Sequence, residues 1–254
     1  MAIIQTENWS LTGIKGVLID KDGTLIDSHC YWGRIIVRRA KGISDYYALN
    51  PDELPWLSLV MGYDIITGRL RPEGPIALVS RDEVIAVVER NMLQRGIKVT
   101  RQELSTLFFH EHEAFLSEIL DYVKILPGVL SILSKLKSCE TKIAVVTTDT
   151  IANTTVMLEH LKLIKYIDAI IGKESTNESK VTGIPALKAL RELGVTSCEA
   201  VSIGDAPMDL IMAEKSGLKA GIGIASGQLD LEELRNYSQY LSHSLTEIQI
   251  KSDI

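Results

Sequence analysis

The sequence predicts a doubly wound α/β fold, in which helices cover a parallel sheet and a helical segment is inserted after the first strand. Three short apolar runs without alternation occur at 16–19, 142–146 and 200–203, and each leads into polar residues. Such runs are typical of strands that are buried on both faces. Helical periodicity precedes the second and third runs, and strands that alternate with helices form right-handed βαβ crossovers.

The elements follow in order along the chain. Two apolar stripes predict the helices before the second and third strands, and they consist of Val129, Leu130, Ile132, Leu133 and Leu136, and of Ile184, Leu187, Leu190 and Leu193. We expect residues 1–27 and 125–254 to form the α/β core and residues 28–124 an all-helical insert. Within the insert, 82–92 and 102–120 have helical spacing, and 67–75 is a loop rich in glycine and proline. The last residues, 246–254, are expected to fray.

Composition limits the function classes. The chain has 254 residues, 46% hydrophobic and 24% charged, which is ordinary for a soluble globular protein. A net charge of −6 argues against non-specific nucleic-acid binding. Three scattered cysteines predict a reducing compartment without disulfides or a zinc site. No apolar run is long enough for a signal peptide or a membrane span, so we expect a cytoplasmic protein.

The first apolar run leads into Asp20-Lys21-Asp22-Gly23-Thr24. One carboxylate can attack phosphorus as a nucleophile, and a second can protonate the leaving oxygen and later deprotonate water. Two acids so close repel one another, and Mg²⁺ suits them because it prefers oxygen ligands. An ordinary Asp-Gly turn is the alternative. A calcium-binding EF-hand loop is excluded because its glycine comes later.

Polar residues also follow the second and third runs. Thr147 and Thr148 offer hydroxyl groups to a phosphoryl oxygen, although either can also begin a helix. Lys180 lies in a loop before an apolar helix and can neutralise phosphoryl oxygens, with Lys173 as its competitor for that role.

The third run ends in Gly204-Asp205-Ala206-Pro207-Met208-Asp209. Asp205 can complete a cation site, and Asp209 can hold a lysine or a metal-bound water. Ordinary helix initiation also favours acids at these positions. Because the carboxyl ends of the strands meet at one edge of such a sheet, we expect all of these groups to meet there.

This order of motifs resembles the haloacid dehalogenase superfamily of aspartate-nucleophile phosphatases, which has a Rossmann-like core. The residues that carry the resemblance are the Asp20–Thr24 motif, Thr147, Lys180 and Gly204–Asp209. Further similarities lie at Leu126–Val129, at Pro185 five residues after Lys180, and at Ala213–Gly217. The insert resembles the family's helical first-type cap, as in phosphoglycolate phosphatase and β-phosphoglucomutase relatives. Two departures are Lys21, where the family more often has an apolar residue, and Val181, where it has proline.

The resemblance implies a role for each matching residue. Asp20 would be the nucleophile and Asp22 the general acid and base, while Mg²⁺ would be held by Asp20, the Asp22 backbone carbonyl and Asp205. Asp209 would support Lys180 or the metal shell. The residues expected to bind the phosphoryl group are Thr24, Thr147, Thr148 and Lys180.

The insert is where we expect substrate selection. Arg34 and Arg38 lie four residues apart, on one face of a helix, and Arg69 and Arg71 lie in the glycine- and proline-rich loop. One hypothesis is that one or two of them bind a carboxylate or a second anionic group of the substrate. The alternative is a solvated basic face.

The function expected from these observations is Mg²⁺-dependent hydrolysis of a small phosphorylated metabolite, similar to that of phosphoglycolate phosphatase, by a monomer or homodimer. A phosphomutase of the β-phosphoglucomutase type is the alternative within the family. A non-catalytic module that binds a phosphorylated ligand is the alternative outside it. Neither nucleic acid nor a membrane is expected as a partner.

Overall fold

The computed structural model describes residues 1–76 and 79–253. The chain divides into two compact units. Met1–Asp27 together with Ile125–Ile254 form what we call the core unit, and Ser28–Lys124 form the helical unit. Within the described residues, no helix has both the length and the apolar character that a membrane crossing requires.

The secondary structure confirms a chain of alternating strands and helices outside the insert. The strands are β1 (Ala2–Gln5), β2 (Ser10–Ile14), β3 (Gly16–Ile19), β4 (Tyr63–Asp64), β5 (Arg69–Leu70), β6 (Lys142–Val146), β7 (Ala169–Ile171), β8 (Ala200–Gly204), β9 (Ala220–Ile224), β10 (Tyr240–Ser242) and β11 (Gln249–Ser252). The α-helices are α1 (Ser28–Tyr46), α2 (Leu54–Val60), α3 (Arg81–Gln94), α4 (Arg101–Leu116), α5 (Val129–Ser138), α6 (Ile151–His160), α7 (Ile184–Leu193), α8 (Pro207–Lys215) and α9 (Leu231–Leu234).

The core unit is built on a six-stranded sheet in the order β10-β9-β8-β3-β6-β7. Every neighbouring pair in this sheet is parallel. The three predicted runs are β3, β6 and β8 at its centre, and their apolar residues are buried because helices cover both faces. Leu18 and Ala144 of the sheet, for example, pack in one apolar cluster with Ala186 and Leu190 of α7. The predicted doubly wound α/β fold is confirmed.

A second sheet corrects one expectation. The segment 246–254 was expected to fray, but β11 within it pairs antiparallel with β1, which also pairs with β2. Ile250 is buried and lies opposite Ile4, a fully buried residue of β1. Backbone hydrogen bonds and apolar burial thus hold a segment whose own sequence shows little periodicity.

The helical unit corrects another expectation, because it is not all-helical. β4 and β5 form a small antiparallel hairpin. The Asp64 side chain accepts hydrogen bonds from the N–H groups of Ile66 and Thr67, and Gly68 has a φ of +69°, which closes the turn. The remainder is helical, with α3 and α4 covering the two predicted helical segments. An apolar core that includes Ile36, Val88 and Phe108 joins these helices.

Candidate active site

The carboxyl ends of the central strands bring the predicted motifs together. β3 pairs in parallel with both β6 and β8, so that Ile19 lies level with Val145 and Ile203. Asp20 follows Ile19 directly, and its backbone N–H donates to the carbonyl oxygen of Ile203 at 2.9 Å. Because the three strands end at one edge of the sheet, the polar residues that follow each of them meet there.

Lys180 connects two of the predicted acids. It begins the one-turn 3-10 helix Lys180–Thr182, and the hydroxyl of Ser179 accepts a hydrogen bond from the N–H of Val181. The Lys180 side chain is buried, and its Nζ donates to Oδ1 of Asp20 and, at 2.7 Å, to Oδ1 of Asp209. Lys180 was expected to neutralise phosphoryl oxygens with Asp209 as a support, and the structure places it as a buried bridge between the first and the last motif.

Asp205 completes a group of three carboxylates. One oxygen from each of Asp20, Asp205 and Asp209 lies within 4.8 Å of the others. Two glycines make room for Asp205. A Cβ atom on Gly23 would lie 2.3 Å from Oδ2 of Asp205, and one on Gly227 would lie 1.7 Å from the same oxygen. The site therefore needs glycine at both positions.

Thr24 corrects a predicted role. It was expected to bind the phosphoryl group of the substrate. In the structure its side chain is fully buried, and its hydroxyl donates to Oδ1 of Asp205 at 3.3 Å. The Thr24 hydroxyl therefore supports Asp205, a predicted metal ligand.

Burial and neighbouring charges shift the pKa values of Asp20, Asp205 and Lys180. Burial raises the pKa of Asp20 to about 6, with Lys180 opposing the rise and Asp209 adding to it. Burial and, after it, the charge of Asp20 raise the pKa of Asp205 well above its usual range. Burial by itself would lower the pKa of Lys180, but Asp20 and Asp209 outweigh it, so this pKa lies above its ordinary value.

The raised pKa values of Asp20 and Asp205 bear on whether these carboxylates could bind a divalent cation. Buried carboxylates that resist ionisation together are stabilised as anions by a positive charge between them. Carboxylate oxygens are also the ligands that Mg²⁺ prefers. The donor set therefore fits Mg²⁺, with Asp20 and Asp205 as carboxylate ligands and Asp209 beside them.

Asp22 lies in a second carboxylate–lysine bridge. Its Oδ2 is 3.2 Å from Nζ of Lys21, and the same Nζ donates to Oδ2 of Asp149 at 2.8 Å. Burial raises the pKa of Asp22, while Lys21 acts to lower it and Asp20 to raise it further. Burial also acts to raise the pKa of Asp149, but Lys21 and hydrogen bonds outweigh it, so this pKa is lowered.

The predicted phosphate-binding threonines border a pocket. Its volume is about 320 Å³, and Thr147, Thr148, Lys173, Lys180 and Pro185 belong to its lining. Thr148 is exposed, whereas Thr147 is buried and its hydroxyl accepts a hydrogen bond from the N–H two residues further on. Lys173 is exposed, whereas Lys180 is buried and contacts Asp20, the predicted nucleophile, so the geometry favours Lys180 of the two competing lysines.

The helical unit already pairs two of the predicted specificity residues. Arg38 donates to Oε1 of Glu118 at 2.7 Å and lies 3.5 Å from a carboxylate oxygen of Glu111. Arg34 lies 3.6 Å from Glu118 and stacks on the ring of Tyr122, with 4.9 Å from Cζ to the ring centre. These guanidinium groups have anionic partners in their own unit, which favours the alternative of a solvated basic face.

The two remaining arginines lie at the hairpin. Arg71 pairs with Glu73 two residues further on. Arg69 belongs to β5 and is exposed. The hypothesis that they bind a second anionic group of the substrate stays a prediction.

Some residues of the site were not found from the sequence. Lys21 was named only as a departure from the family pattern, and the structure buries it between two acids. Ser226 donates to the carbonyl oxygen of Gly23 at 2.7 Å, next to Gly227. The signal for this loop is the small-residue sequence Ala225-Ser226-Gly227 directly after β9, at the same edge as the other motifs. No comparable signal shows that the side chain of Lys21 points inward.

Known proteins are similar to this chain in sequence. The family described as "Haloacid dehalogenase-like hydrolase" matches residues 63–222. That range contains Thr147, Lys180 and Asp205, while Asp20 precedes it. A Clostridium perfringens protein provisionally named pyrophosphatase PpaX is 30% identical over 221 residues, covering 87% of this chain and 88% of its own. This second alignment reaches over most of both chains.

Two further proteins are similar. A phosphoglycolate phosphatase of Chromobacterium violaceum is 25% identical over 228 residues, covering 89% of this chain and 91% of its own. The crystal structure described as a predicted phosphoglycolate phosphatase from Haemophilus somnus superposes with a TM-score of 0.71 at 17% identity, covering 93% of this chain and 97% of that one. At that identity the structural likeness concerns the fold.

Proposed function

Because the chain belongs to the haloacid dehalogenase-like hydrolases and is an enzyme of their phosphatase type, we propose that it hydrolyses a small phosphomonoester with Mg²⁺, through a phosphoryl group carried on Asp20. The observation that carries the proposal is the group formed by Asp20, Lys180, Asp205 and Asp209 at the strand ends. In this group the Lys180 amine contacts Asp20, the proposed nucleophile, and one oxygen of each of the three carboxylates lies within 4.8 Å of the others, which supports the proposal.

Each residue has a chemical task in this proposal. A carboxylate oxygen of Asp20 attacks phosphorus, and the bond from phosphorus to the ester oxygen breaks. Asp22 gives a proton to that leaving oxygen and then takes one from the water that attacks the aspartyl phosphate. Lys180 and Thr147 hold the phosphoryl oxygens and favour the charge that develops on them. Mg²⁺, when held by Asp20, Asp205 and the Asp22 carbonyl, supplies charge neutralisation for the phosphoryl group.

The similar proteins narrow the substrate class for a first screen. One is named for phosphoglycolate and another for pyrophosphate. The proposed substrate is therefore a small anion that carries a terminal phosphoryl group, with 2-phosphoglycolate as the first candidate. Pyrophosphate, a phosphoanhydride and not an ester, is the alternative outside that class, because the relative named for it aligns over most of both chains.

The test is phosphate release with Mg²⁺ from a panel that contains 2-phosphoglycolate, pyrophosphate, sugar phosphates and p-nitrophenyl phosphate. Asp20→Asn should lower the rate by at least about a thousandfold, since it removes the nucleophile. Asp45→Asn, an exposed position on α1, is the matched control and should keep the wild-type rate. Acid quenching followed by mass spectrometry should find one phosphoryl group on the peptide that contains Asp20.

Two outcomes would contradict the proposal. Conversion of one sugar phosphate into its isomer without free phosphate would make the enzyme a phosphomutase. Absence of any Mg²⁺-dependent turnover across the panel, with no effect of Asp20→Asn, would make the chain a non-catalytic binding module.

A further inference from the structure

Lys21 is a buried lysine in the middle of the nucleophile motif. Its side chain is 1% exposed, and its Nζ lies 2.8 Å from Oδ2 of Asp149, 3.2 Å from Oδ2 of Asp22 and 3.3 Å from the sulfur of Met157. Burying a charged amine costs free energy unless carboxylates compensate it. An apolar side chain of the same length would fill this space beside Met157 without that cost. The charge at position 21 therefore calls for an explanation beyond packing.

The two carboxylate oxygens of Asp22 are not equivalent. Oδ2 faces Nζ of Lys21, whereas Oδ1 is buried and has no hydrogen-bond partner among the residues that the structure describes. The backbone of the motif is held as well, because the N–H groups of Leu25 and Ile26 both donate to the carbonyl oxygen of Lys21 at 2.9 Å. Lys21 thus fixes the orientation of the Asp22 carboxyl group, whose Oδ1 is enclosed and whose side chain as a whole is 21% exposed.

Asp149 is a fixed anchor for the lysine. Its Oδ1 accepts hydrogen bonds from the N–H of Thr150 at 2.7 Å and from the side-chain amide of Asn153 at 3.2 Å, at the start of α6. Its Oδ2 is thereby turned toward Lys21. The bridge from Asp149 through Lys21 to Asp22 therefore connects the first turn of α6 to the nucleophile loop.

We propose that Lys21 is a positioning residue, which holds the Asp22 carboxyl group in the orientation from which it exchanges protons with substrate and water. This inference rests on the proposed function. In the first step, the proton on the Asp22 carboxyl group passes to the ester oxygen as its bond to phosphorus breaks and the bond from Asp20 to phosphorus forms. In the second step, the Asp22 carboxylate takes a proton from water as the water oxygen bonds to phosphorus and Asp20 is released. Lys21 keeps its protons throughout.

The experiment separates this role from a merely structural one by the leaving group of the substrate. p-Nitrophenolate is a stable anion and leaves with little protonation, whereas an alkoxide needs the proton from Asp22. The double variant Lys21→Met/Asp149→Asn removes the bridge without leaving a lone buried carboxylate at position 149. We measure the single-turnover rate of phosphoryl transfer to Asp20 for an alkyl phosphate and for p-nitrophenyl phosphate.

A matched control lies in the same unit. Nζ of Lys137 lies 2.7 Å from Oδ2 of Asp168, and this ion pair is partly exposed. The N–H of Asp168 donates to the carbonyl oxygen of Ile143, near the start of β6 and away from the strand ends that carry the site. The control variant is Lys137→Met/Asp168→Asn. It should reproduce the wild-type ratio of the two rates.

The expected result is a fall of about a hundredfold for the alkyl phosphate, against less than about threefold for p-nitrophenyl phosphate, because general acid catalysis contributes on that order. The Michaelis constants should change little. Equal losses on the two esters, or no loss on either, would overturn the inference. A wild-type protein that never phosphorylates Asp20 would instead contradict the proposed function, so the two failures are distinct.

A second variant covers the case in which the double variant does not fold, as judged by circular dichroism and thermal unfolding. Asp149→Asn by itself keeps Lys21 and weakens only its anchor. It should shift the ratio of the two rates in the same direction by a smaller factor. An unchanged ratio in a folded Asp149→Asn protein would count against the inference.

Discussion

The core unit and the helical unit treat charged side chains in different ways. In the core unit, two lysines are buried, and each lies between two carboxylates: Lys180 between Asp20 and Asp209, and Lys21 between Asp22 and Asp149. In the helical unit, arginines pair with glutamates where both partners keep some exposure, as Arg38 does with Glu118.

The difference indicates where chemistry takes place. A partly exposed ion pair contributes little free energy, so its presence needs no functional reason. A buried charge that remains among other buried charges is costly, and such groups concentrate at functional sites. Arg39 of the helical unit is intermediate. It is buried against the ring of Phe108, and its Nε has no hydrogen-bond partner among the described residues.

The largest expected effect comes from breaking a core-unit bridge. Lys180→Met should leave Asp20 and Asp209 without their cation, which we expect to destabilise the metal-free protein by about 3–5 kcal/mol. It should also lower kcat/KM by a factor of about 100–1000, as loss of one group that stabilises the transition state does. Denaturant unfolding and phosphate release measure the two effects. Lys135→Met, an exposed position on α5, is the control and should match wild type in both.

The second effect is the response to Mg²⁺. Adding the metal at about a hundred times its dissociation constant should stabilise the chelator-treated protein by about 2.7 kcal/mol. The gain should shrink as the pH falls through about 6, because the metal-free pKa of Asp20 lies there and the proton then competes with the metal. Thermal unfolding at pH 7.5 and at pH 5 measures the difference. An equal gain at both values would contradict the assignment of Asp20 as a ligand.

Asp205→Asn sharpens the same measurement. Its carboxyl group is buried beside Asp20, which raises its pKa well above the usual range, so loss of the acid removes repulsion from the metal-free site. We expect the variant to be at least as stable as wild type in chelator and to lose the gain from Mg²⁺. A variant that keeps the full gain would place the metal elsewhere.

A smaller effect is expected at Arg39. Burial and the neighbouring Arg81 lower the pKa of Arg39 to about 10, which means that the charged form is disfavoured where it lies. Arg39→Met keeps the length of the side chain and removes the charge, and it should raise the free energy of unfolding by about 1 kcal/mol. Urea unfolding measures it, with the exposed Arg90→Met as control. A lower free energy of unfolding would mean that the charged guanidinium group of Arg39 stabilises the folded protein.

The smallest effect is expected where the helical unit pairs its charges near the surface. Arg38→Met should lower the free energy of unfolding by no more than about 1 kcal/mol, as is usual for exposed ion pairs. It should leave KM for 2-phosphoglycolate and for p-nitrophenyl phosphate unchanged within about twofold, because the Arg38 guanidinium group is already paired with Glu118. A rise in KM confined to 2-phosphoglycolate would instead support the hypothesis that Arg38 binds a carboxylate of the substrate.

The sequence by itself determined the parallel α/β core and the residues at its strand ends. Apolar runs and helical stripes are local patterns, and the parallel pairing of β3 with β6 and β8 then brings Asp20, Thr147 and Asp205 to one edge. These residues could be named because each directly follows a strand or lies within two residues of one. A local pattern contains neither the distances between these side chains nor the pKa shifts that their proximity causes.

Only the tertiary structure determined which side chains face one another and which edge strands pair. Thr24 was expected to bind the phosphoryl group, and its hydroxyl donates to Asp205. Lys21 was known from the sequence only as a departure from the family pattern, and it is buried against Asp149, 128 residues away in the chain. Likewise, β11 is a strand because β1 lies beside it, and not because its own residues alternate. The direction of a side chain and the pairing of an edge strand depend on neighbours that are distant in sequence, which a local pattern does not contain.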